Sequence, residues 1–536
     1  MKIAELLLQT LGKNGVSIIF GNPGTTEIPL VRACERYPSL NYIVALSEVS
    51  AVPMADGYAR ATRSLGVVNL HVAPGLGNGM GGLYTAAVAQ TPLLVLIGAQ
   101  DRRFLHTQPI LWGPIERMAG AVTKAVFSLN TFHDSAFYIR RAIRAALTQP
   151  YAPVSLICPP DLLEEDIDTQ PLLVNSPVLA ALPAAGAQRY AEVLNNAKHP
   201  ALIAAEDVFW NDASAELEQL AAILAAPIYV APYTAVLPVS SRSPYYAGYL
   251  PPSRKQIAER LSPHDALFFV GGKGMRTTLY SEAELLQPKL WIGNDPTVLA
   301  SEGEFTLATV ADTRGSLTEI ICAVDGSAGD RGAIKGSLRP HVAAPPYDPV
   351  VFHPSRAVCA LLDRFPGAIW FDESGLSTSD VRQWMQLPSG EYLINGSGGI
   401  GWGLAASVGA ALGNPGRQVV AIIGDGSALY ASEAMWTAAH HSTKLLLVIL
   451  SNRRYSTLNE AAERLGGEAL DSFTIEPPTL NFGGLAALYG WRYFKAACEG
   501  ELGAFLKSLS EGVKTNTLLE LELDPSVRPV TANHHF

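Results

Sequence analysis

Apolar runs that stop at polar, glycine-rich turns recur along this chain. The clearest is Val419–Ile423, which ends at Gly424-Asp425-Gly426. A helix-compatible segment follows over residues 430–441, and a second apolar run, Leu445–Leu450, ends at Ser451-Asn452. This pattern predicts a strand, a turn, a helix and a second, parallel strand. Because parallel strands of one sheet share their carboxyl-terminal edge, we expect Asp425 and Asn452 to meet, although 25 residues separate Gly426 from Asn452.

The first part of the chain repeats the same alternation. Residues 3–14 and 51–61 have the pattern of helices, and residues 17–20, 42–46, 66–70 and 92–98 have that of strands. Thr25, Glu48 and His71 each follow one of these predicted strands. Three polar side chains at one sheet edge are typical of a functional site.

The turn at Gly424-Asp425-Gly426 has the chemistry of a metal and phosphate site. A carboxylate and an amide oxygen are hard ligands of the kind that Mg²⁺ prefers. Glycines let the backbone approach a ligand closely, and a helix start offers free N–H groups to a diphosphate. Asp425 and Asn452 are therefore candidate metal ligands.

Composition narrows the class of protein. The 536 residues are too many for one core, and 48% apolar with only 16% charged residues indicate well-buried α/β domains with large subunit interfaces. The net charge of −10, with no run of Lys or Arg, argues against nucleic acid as a partner. The five cysteines are scattered, which favours reduced thiols in the cytoplasm, and neither a signal peptide nor a membrane span is expected.

Five stretches carry a family resemblance. GNPGTTEIP, ALSEVSAVPMADGYAR, NLHVAPGLGNGMGGL, GSGGIGWGLAASVGAAL and the segment from Gly424 to Asn452 occur in this order. Together they resemble the thiamine-diphosphate (ThDP)-dependent decarboxylase and acetolactate-synthase superfamily and, within it, benzoylformate decarboxylases. The last segment ends in Ser451-Asn452, where the family usually has two asparagines.

The resemblance implies an α/β fold of three doubly wound domains with mainly parallel sheets. These would be a pyrimidine-binding domain over 1–175, a central domain over 186–335 and a pyrophosphate-binding domain over 350–525. Proline-rich stretches at 171–183 and 339–346 fit as linkers. In the central domain we expect no cluster of acids and histidines like the one predicted at the sheet edge of the first domain.

The resemblance also assigns roles to residues that bind the cofactor. Glu48 would bond the aminopyrimidine ring and promote ionisation of the thiazolium carbon. Ile400 would be the wedge that bends the cofactor, and the carbonyl of Gly398 would accept a bond from its amine. Asp425, Asn452 and the backbone carbonyl of Arg454 would hold Mg²⁺. Further cofactor contacts are expected at Ser374, Gly375, Leu376, Gly424, Gly426, Ser427 and Tyr455.

On the substrate side, the resemblance places His71 and Thr25 as catalytic residues. Thr278, Thr457, Leu458 and Ala461 would line the substrate pocket. The stretch 271–278 lies where the family member supplies a second catalytic histidine, and it contains Thr277 and Thr278 but no histidine. This difference puts the identity of the substrate in doubt.

The implied function is a ThDP- and Mg²⁺-dependent lyase that decarboxylates a 2-oxo acid through an enamine on the cofactor. A carboligase of the acetolactate-synthase kind or a 2-hydroxyacyl-CoA lyase is the alternative, and the missing second histidine would favour capture of the enamine by an aldehyde over its protonation. The resemblance further implies a dimer of dimers, in which Glu48 of one chain faces Ile400 and Asp425 of its partner.

Two other classes of protein share features with this sequence. A NAD(P) dehydrogenase is suggested by the GxGxxG patterns at 396–401 and 77–82, but such patterns are common in a chain with 47 glycines. It also leaves Glu48 and Asn452 without a role. The second is an inactive relic of the fold, which the presence of Glu48, Asp425 and Asn452 disfavours.

Overall fold

The computed structural model describes residues 1–278, 281–301, 305–325, 338–339, 342–348, 351–509 and 512–531. Its strands form three six-stranded sheets, and neighbouring strands within each sheet are parallel. The predicted α/β class with three parallel sheets is therefore confirmed. The domain boundaries stay predictions, and parts of the second predicted linker lie outside the described residues.

The strands are short and follow the apolar runs of the sequence. The first sheet contains β1 Ile18–Gly21, β2 Asn41–Val44, β3 Gly66–Leu70, β4 Leu93–Gly98, β5 Ala125–Ser128 and β6 Val154–Cys158. The second contains β7 Pro200–Ala204, β8 Ile228–Val230, β9 Tyr246–Tyr249, β10 Ala266–Val270, β11 Lys289–Gly293 and β12 Leu307–Val310. The third contains β13 Ile369–Glu373, β14 Tyr392–Ile394, β15 Val419–Gly424, β16 Leu445–Ser451, β17 Arg492–Ala496 and β18 Thr517–Glu522.

Helices connect the strands and cover the sheets. Around the first sheet they are α1 Ile3–Lys13, α2 Ile28–Arg36, α3 Glu48–Thr62, α4 Val72–Val88, α5 Ile115–Gly120, α6 Phe132–Ala146 and α7 Pro160–Leu163. Around the second they are α8 Ala184–Asn196, α9 Glu206–Trp210, α10 Ser214–Leu224, α11 Arg254–Leu261, α12 Val298–Ser301 and α13 Thr313–Ala323. Around the third they are α14 Pro354–Arg364, α15 Thr378–Trp384, α16 Gly403–Gly413, α17 Asp425–Ala428, α18 Ala434–His440, α19 Ser456–Arg464, α20 Phe482–Leu488 and α21 Glu499–Ser508.

The strand order locates the ligand-binding edges. The first sheet runs β2-β1-β3-β4-β6-β5, and the third repeats this order as β14-β13-β15-β16-β18-β17. In such sheets the crevice for a ligand lies where the strand order reverses, at the carboxyl ends of the first and third strands. These points are the ends of β1 and β3 in the first sheet and of β13 and β15 in the third. The second sheet runs β12-β11-β10-β7-β8-β9, and its reversal lies between β7 and β10.

Helices α3 and α16 join the first and third parts of the chain. A Cβ added at Gly57 would lie 2.1 Å from the Ala406 carbonyl oxygen, and one at Gly409 would lie 1.9 Å from that of Met54. Only glycine therefore permits this backbone contact. Beside it, Arg60 donates to Asp56, and the Trp402 indole N–H donates to the same carboxylate at 2.7 Å. Both members of the ion pair are fully buried.

Three details differ from the sequence-based expectations. The helix predicted over 430–441 begins only at Ala434, because the preceding residues form tight turns such as Tyr430 N–H to Ser427 O. The glycine pattern at 77–82 lies inside α4 and forms no phosphate loop. The central part does contain an acid cluster: Glu206, Asp207 and Asp295 are all buried there. Sequence alone did not reveal this cluster because its members come from two different strand ends.

We predict that Asp56→Ala destabilises the protein by about 3–5 kcal/mol, because Arg60 would be left buried without its partner. The denaturation midpoint measures the change. The matched control is Asp166→Ala, which removes the exposed partner of Lys2 and should cost less than about 1 kcal/mol. Equal effects of the two substitutions would contradict this account.

Candidate active site

Asp425 and Asn452 come together at the edge of the third sheet. β15 ends at Gly424 and β16 at Ser451, and Gly424 pairs with Leu450 in register. The Asp425 carboxylate accepts from the N–H of Gly426 at 2.8 Å and of Arg453 at 2.6 Å. Burial raises its pKa to about 6, and these N–H groups oppose the shift.

Asn452 is held in a fixed orientation beside Asp425. Its side-chain N–H donates to Ser456 Oγ at 3.0 Å, and its Oδ1 accepts from Arg454 N–H at 3.3 Å. These two contacts fix the orientation of the amide, with Nδ2 toward Ser456 and Oδ1 toward the backbone of Arg454. Among the described residues, no group of three His, Cys, Asp or Glu side chains could hold a metal. One carboxylate, one amide and one backbone carbonyl, as expected from the resemblance, would not form such a group.

The second turn of this edge follows β13. Asp372 accepts from the N–H and hydroxyl of Ser374 at 2.9 and 2.6 Å, which shapes the start of the loop. Gly375 has a φ of +61° and lies against Thr457. Tyr455 packs against Gly426, since a Cβ at that glycine would lie 2.6 Å from the tyrosine ring.

Glu373 ties β13 to the loop that carries Ile400. Its carboxylate accepts from Gly401 N–H at 2.5 Å and from Gly403 N–H. Burial raises the pKa of Glu373 to about 7. Ile400, which precedes Gly401, is 42% exposed, an unusual degree of exposure for an isoleucine. No sequence pattern indicates this role of Glu373, because its partners lie 28 and 30 residues further along the chain.

These turns open onto one cavity of about 1100 Å³ between the central and third parts of the chain. Thr278, Thr457 and Leu458 line it, whereas Ala461 does not. No lining residue precedes Pro232 in the described chain. The predicted cofactor contacts that line it are Ser374, Gly375, Leu376, Gly398, Ile400, Gly424, Asp425, Gly426, Ser427, Asn452, Arg454 and Tyr455.

A second polar cluster occupies the corresponding edge of the first sheet. His71, which follows β3, contacts Glu27 through Nδ1 at 2.7 Å and Thr26 Oγ1 at 3.3 Å. Glu27 also accepts from Gly24 N–H at 2.8 Å and Thr26 Oγ1 at 2.7 Å. Thr25, the predicted residue, is exposed, whereas Thr26 and Glu27 are buried.

Glu48 belongs to the same cluster. It begins α3, is 5% exposed, and accepts from Asn78 Nδ2 at 3.2 Å. A Cβ added at Gly75 would meet both the Glu48 carboxylate, at 2.6 Å, and His71, at 3.3 Å. The structure therefore brings Glu48 and His71 together. Sequence reasoning missed Glu27, although its place just after β1 marked it as a third acid or histidine at this edge.

Three parts of the chain match known protein families. Residues 1–118 match the family described as thiamine pyrophosphate enzyme, N-terminal TPP binding domain. Residues 187–320 match its central domain and residues 373–519 its C-terminal TPP binding domain. Each matched range contains strands of a different sheet, so the three family domains follow the order of the three sheets along the chain.

Individual relatives agree with this assignment. Benzoylformate decarboxylase of Pseudomonas aeruginosa is 31% identical over 526 residues, covering 93% of this chain and 94% of that protein. The solved 4-hydroxybenzoylformate decarboxylase of Rhodococcus jostii is 28% identical, with a TM-score of 0.88, covering 98% of this chain and all of the other. Benzoylformate decarboxylase of Polynucleobacter necessarius has a TM-score of 0.90 at 25% identity, covering 99% and 100%.

We predict that Glu373→Gln loosens the loop around Ile400, because an amide accepts fewer N–H groups than a carboxylate and carries no charge. Amide hydrogen exchange of residues 399–404 should become about fivefold faster or more, since hydrogen bonds to charged groups contribute about 1.5–3 kcal/mol. Exchange is measured by mass spectrometry on protein without added cofactor. Glu391→Gln, at an acid paired with Arg417, is the control. Unchanged exchange in the Glu373 variant would refute the role.

Proposed function

This chain belongs to the thiamine pyrophosphate enzyme family, and we propose that it is a Mg²⁺-dependent lyase that decarboxylates a 2-oxo acid. The observation that carries the proposal is that buried Asp425, at the end of β15, meets Asn452, at the end of the neighbouring strand β16, and that both line one large cavity. The names of the similar decarboxylases support a 2-oxo acid as substrate.

The residues fit the cofactor that the family uses. The cavity has room for a ligand of this size, and its floor combines a buried carboxylate, an oriented amide and an exposed isoleucine. Asp425, Asn452 and the Arg454 carbonyl would hold Mg²⁺ against the diphosphate. Bound thiamine diphosphate would supply the nucleophilic carbon and the electron sink of the reaction.

The polar cluster at the edge of the first sheet, which contains Glu27, Glu48 and His71, would donate and accept protons in the reaction. Glu48 is held by Asn78 and would bond the pyrimidine ring. Glu27 contacts Nδ1 of His71, so an Nδ1–H tautomer leaves Nε2 available to exchange a proton with the substrate. Thr25 is exposed beside this cluster, and we propose that it contacts the substrate.

We also propose that two chains complete each site. The cavity takes no described lining residue from the first part of the chain, where Glu48 and His71 lie. Large apolar side chains are exposed in the first part of the chain, among them Ile110 and Trp112, and in the third part, among them Ile400 and Tyr430. Such exposure is typical of an interface, and a dimer of dimers is the expected assembly.

The cytoplasm is the proposed location. All five cysteines are free thiols, which suits a reducing compartment. Among the described helices, none combines the length and apolar character needed to cross a bilayer.

A panel of 2-oxo acids tests the function, with benzoylformate and aliphatic acids each supplied with ThDP and Mg²⁺. Carbon dioxide release and 2-hydroxyketone formation are measured separately, and reactions without ThDP are the control. We expect ThDP-dependent carbon dioxide release from at least one acid. The absence of both products with every acid would overturn the proposal.

A carboligase is the second candidate. The observation that favours it is the absence of histidine among the described residues that line the cavity, with Thr278 at the position where a second histidine is expected. A site with fewer proton donors would favour capture of an aldehyde over protonation. Hydroxyketone formation that exceeds release of free aldehyde would support this candidate, and cleavage of a 2-hydroxyacyl-CoA would indicate the related CoA lyase.

We predict that Asp425→Ala abolishes Mg²⁺-dependent ThDP binding, because the diphosphate would lose the cation that bridges it to the protein. In the unsubstituted protein, binding should also weaken as the pH falls through about 6, where the carboxyl group becomes protonated. Calorimetric titration with ThDP measures both effects. Asp471→Ala, at an exposed acid, should bind normally, and tight binding by the Asp425 variant would contradict the assignment.

We predict that His71→Ala lowers turnover by about 10²- to 10⁴-fold, the usual contribution of a general acid or base. ThDP affinity and melting temperature should change little. Both are measured on the same sample, so that loss of fold is separated from loss of chemistry. Replacement of the exposed His133 serves as control. Unchanged turnover in a stable, cofactor-loaded His71 variant would remove His71 from the mechanism.

A further inference from the structure

Tyr233 stands in a strained backbone conformation at the wall of the cavity. Its φ is +55°, in the left-handed region that a bulky residue rarely adopts. Two residues after β8 ends at Val230 the chain reaches Pro232, and both Pro232 and Tyr233 line the cavity. Strain of this kind persists only where the surroundings impose it, and it is concentrated at functional sites.

A partly buried guanidinium holds this segment in place. Arg276 donates through Nη2 to the Tyr233 carbonyl oxygen at 3.0 Å and through Nη1 to the Gly396 carbonyl oxygen at 3.1 Å. The same Nη2 donates to Glu206 Oε1 at 3.0 Å, and Glu206 is 2% exposed. One side chain therefore fixes Tyr233 against the loop that leads to Ile400.

The sheet order explains why these residues meet. β10, β7 and β8 are neighbours in the second sheet. Glu206 follows β7, Tyr233 follows β8, and Arg276 follows β10. Since the strands are parallel, all three side chains emerge at one edge, and this edge faces the third part of the chain.

The polar groups around Tyr233 lack a full set of partners. The side chain of Thr278 lies near the Tyr233 hydroxyl and partly offsets the rise in its pKa that burial causes. Asn395, which also lines the cavity, has a buried amide nitrogen with no hydrogen-bond partner in the described part of the chain. Buried donors without partners are costly and indicate a ligand or water at that place.

We propose that Tyr233 contacts the substrate, its hydroxyl donating a hydrogen bond to a carboxylate or carbonyl oxygen of the 2-oxo acid. This inference rests on the proposed function and assigns a residue to the substrate side of the same site. Tyr233 and Thr278 together occupy the wall where the resemblance predicted a second histidine. A tyrosine hydroxyl differs from a histidine ring in length and acidity. The substrate preference should therefore differ from that of an enzyme with a histidine at this position.

The protonation state of Tyr233 agrees with a donor role. Burial raises its pKa above the ordinary value, and the charges of Arg382 and Arg276 and the side chain of Thr278 only partly oppose the shift. The hydroxyl therefore keeps its proton at neutral pH and acts as a donor, not as a base.

The test compares Tyr233→Phe with Tyr229→Phe. The first substitution removes only the hydroxyl and keeps the ring and the strained backbone. The second removes a hydroxyl from the adjoining strand β8, where it bonds His264 at 3.1 Å and does not line the cavity. Melting temperature, ThDP affinity and kcat/KM are measured for each protein with the preferred 2-oxo acid of the unsubstituted enzyme.

We expect Tyr233→Phe to lower kcat/KM by about 10- to 100-fold, as loss of one substrate hydrogen bond does. Its melting temperature and ThDP affinity should match those of Tyr229→Phe, whose kcat/KM should be unchanged. A Tyr233 variant as active as the control would overturn the inference and leave the proposed function intact. An unsubstituted protein that binds ThDP but consumes no 2-oxo acid would instead overturn the proposed function and this inference with it.

Discussion

The close contact between α3 and α16 is the constraint on which both parts of the proposed site depend, the polar cluster of Glu48 and the cavity lined by Ile400. Gly57 and Gly409 let the two backbones touch, and the Asp56–Arg60 pair with Trp402 seals the contact. Helix α3 begins at Glu48, and α16 begins three residues after Ile400. A shift of one helix would therefore move a proposed proton-handling residue or the proposed wedge. The buried ion pair needs exact geometry because neither charge is solvated.

Buried carboxylates held by backbone N–H groups recur at the sheet edges. Asp425, Glu373 and Asp207 each accept from main-chain donors, and burial raises their pKa values to about 6, 7 and 7. Charges placed in this way cost stability but keep loops and ligands in fixed positions. Asp207 does this in the central part, where it accepts from Asn294 N–H at 2.9 Å. Its neighbour Glu206 fixes Arg276, and through it Tyr233, so the central sheet shapes the cavity wall.

The local pattern of the sequence was sufficient for the sheets and for the ends of their strands. Apolar runs such as β15 and β16 are buried on both faces, so nearly every residue in them is hydrophobic and the turn that follows stands out. Parallel pairing then brings successive strand ends to one edge. For this reason the sequence pattern by itself predicts that Asp425 lies near Asn452 and that Glu48 lies near His71. The family resemblance added the cofactor and the roles of these residues.

Only the tertiary structure decided which further side chains complete the site. Glu27 meets His71 across 44 residues, Glu373 meets Gly401 across 28, and Arg276 meets Gly396 across 120. No local periodicity marks such pairs, because each depends on how separate loops pack above the sheets. The same reason explains why Thr26 and Glu27, and not Thr25, face His71, and why Ala461 lies off the cavity. Hydrophobic patterning determines which segments are strands, whereas the partner of a polar side chain is settled by packing between segments.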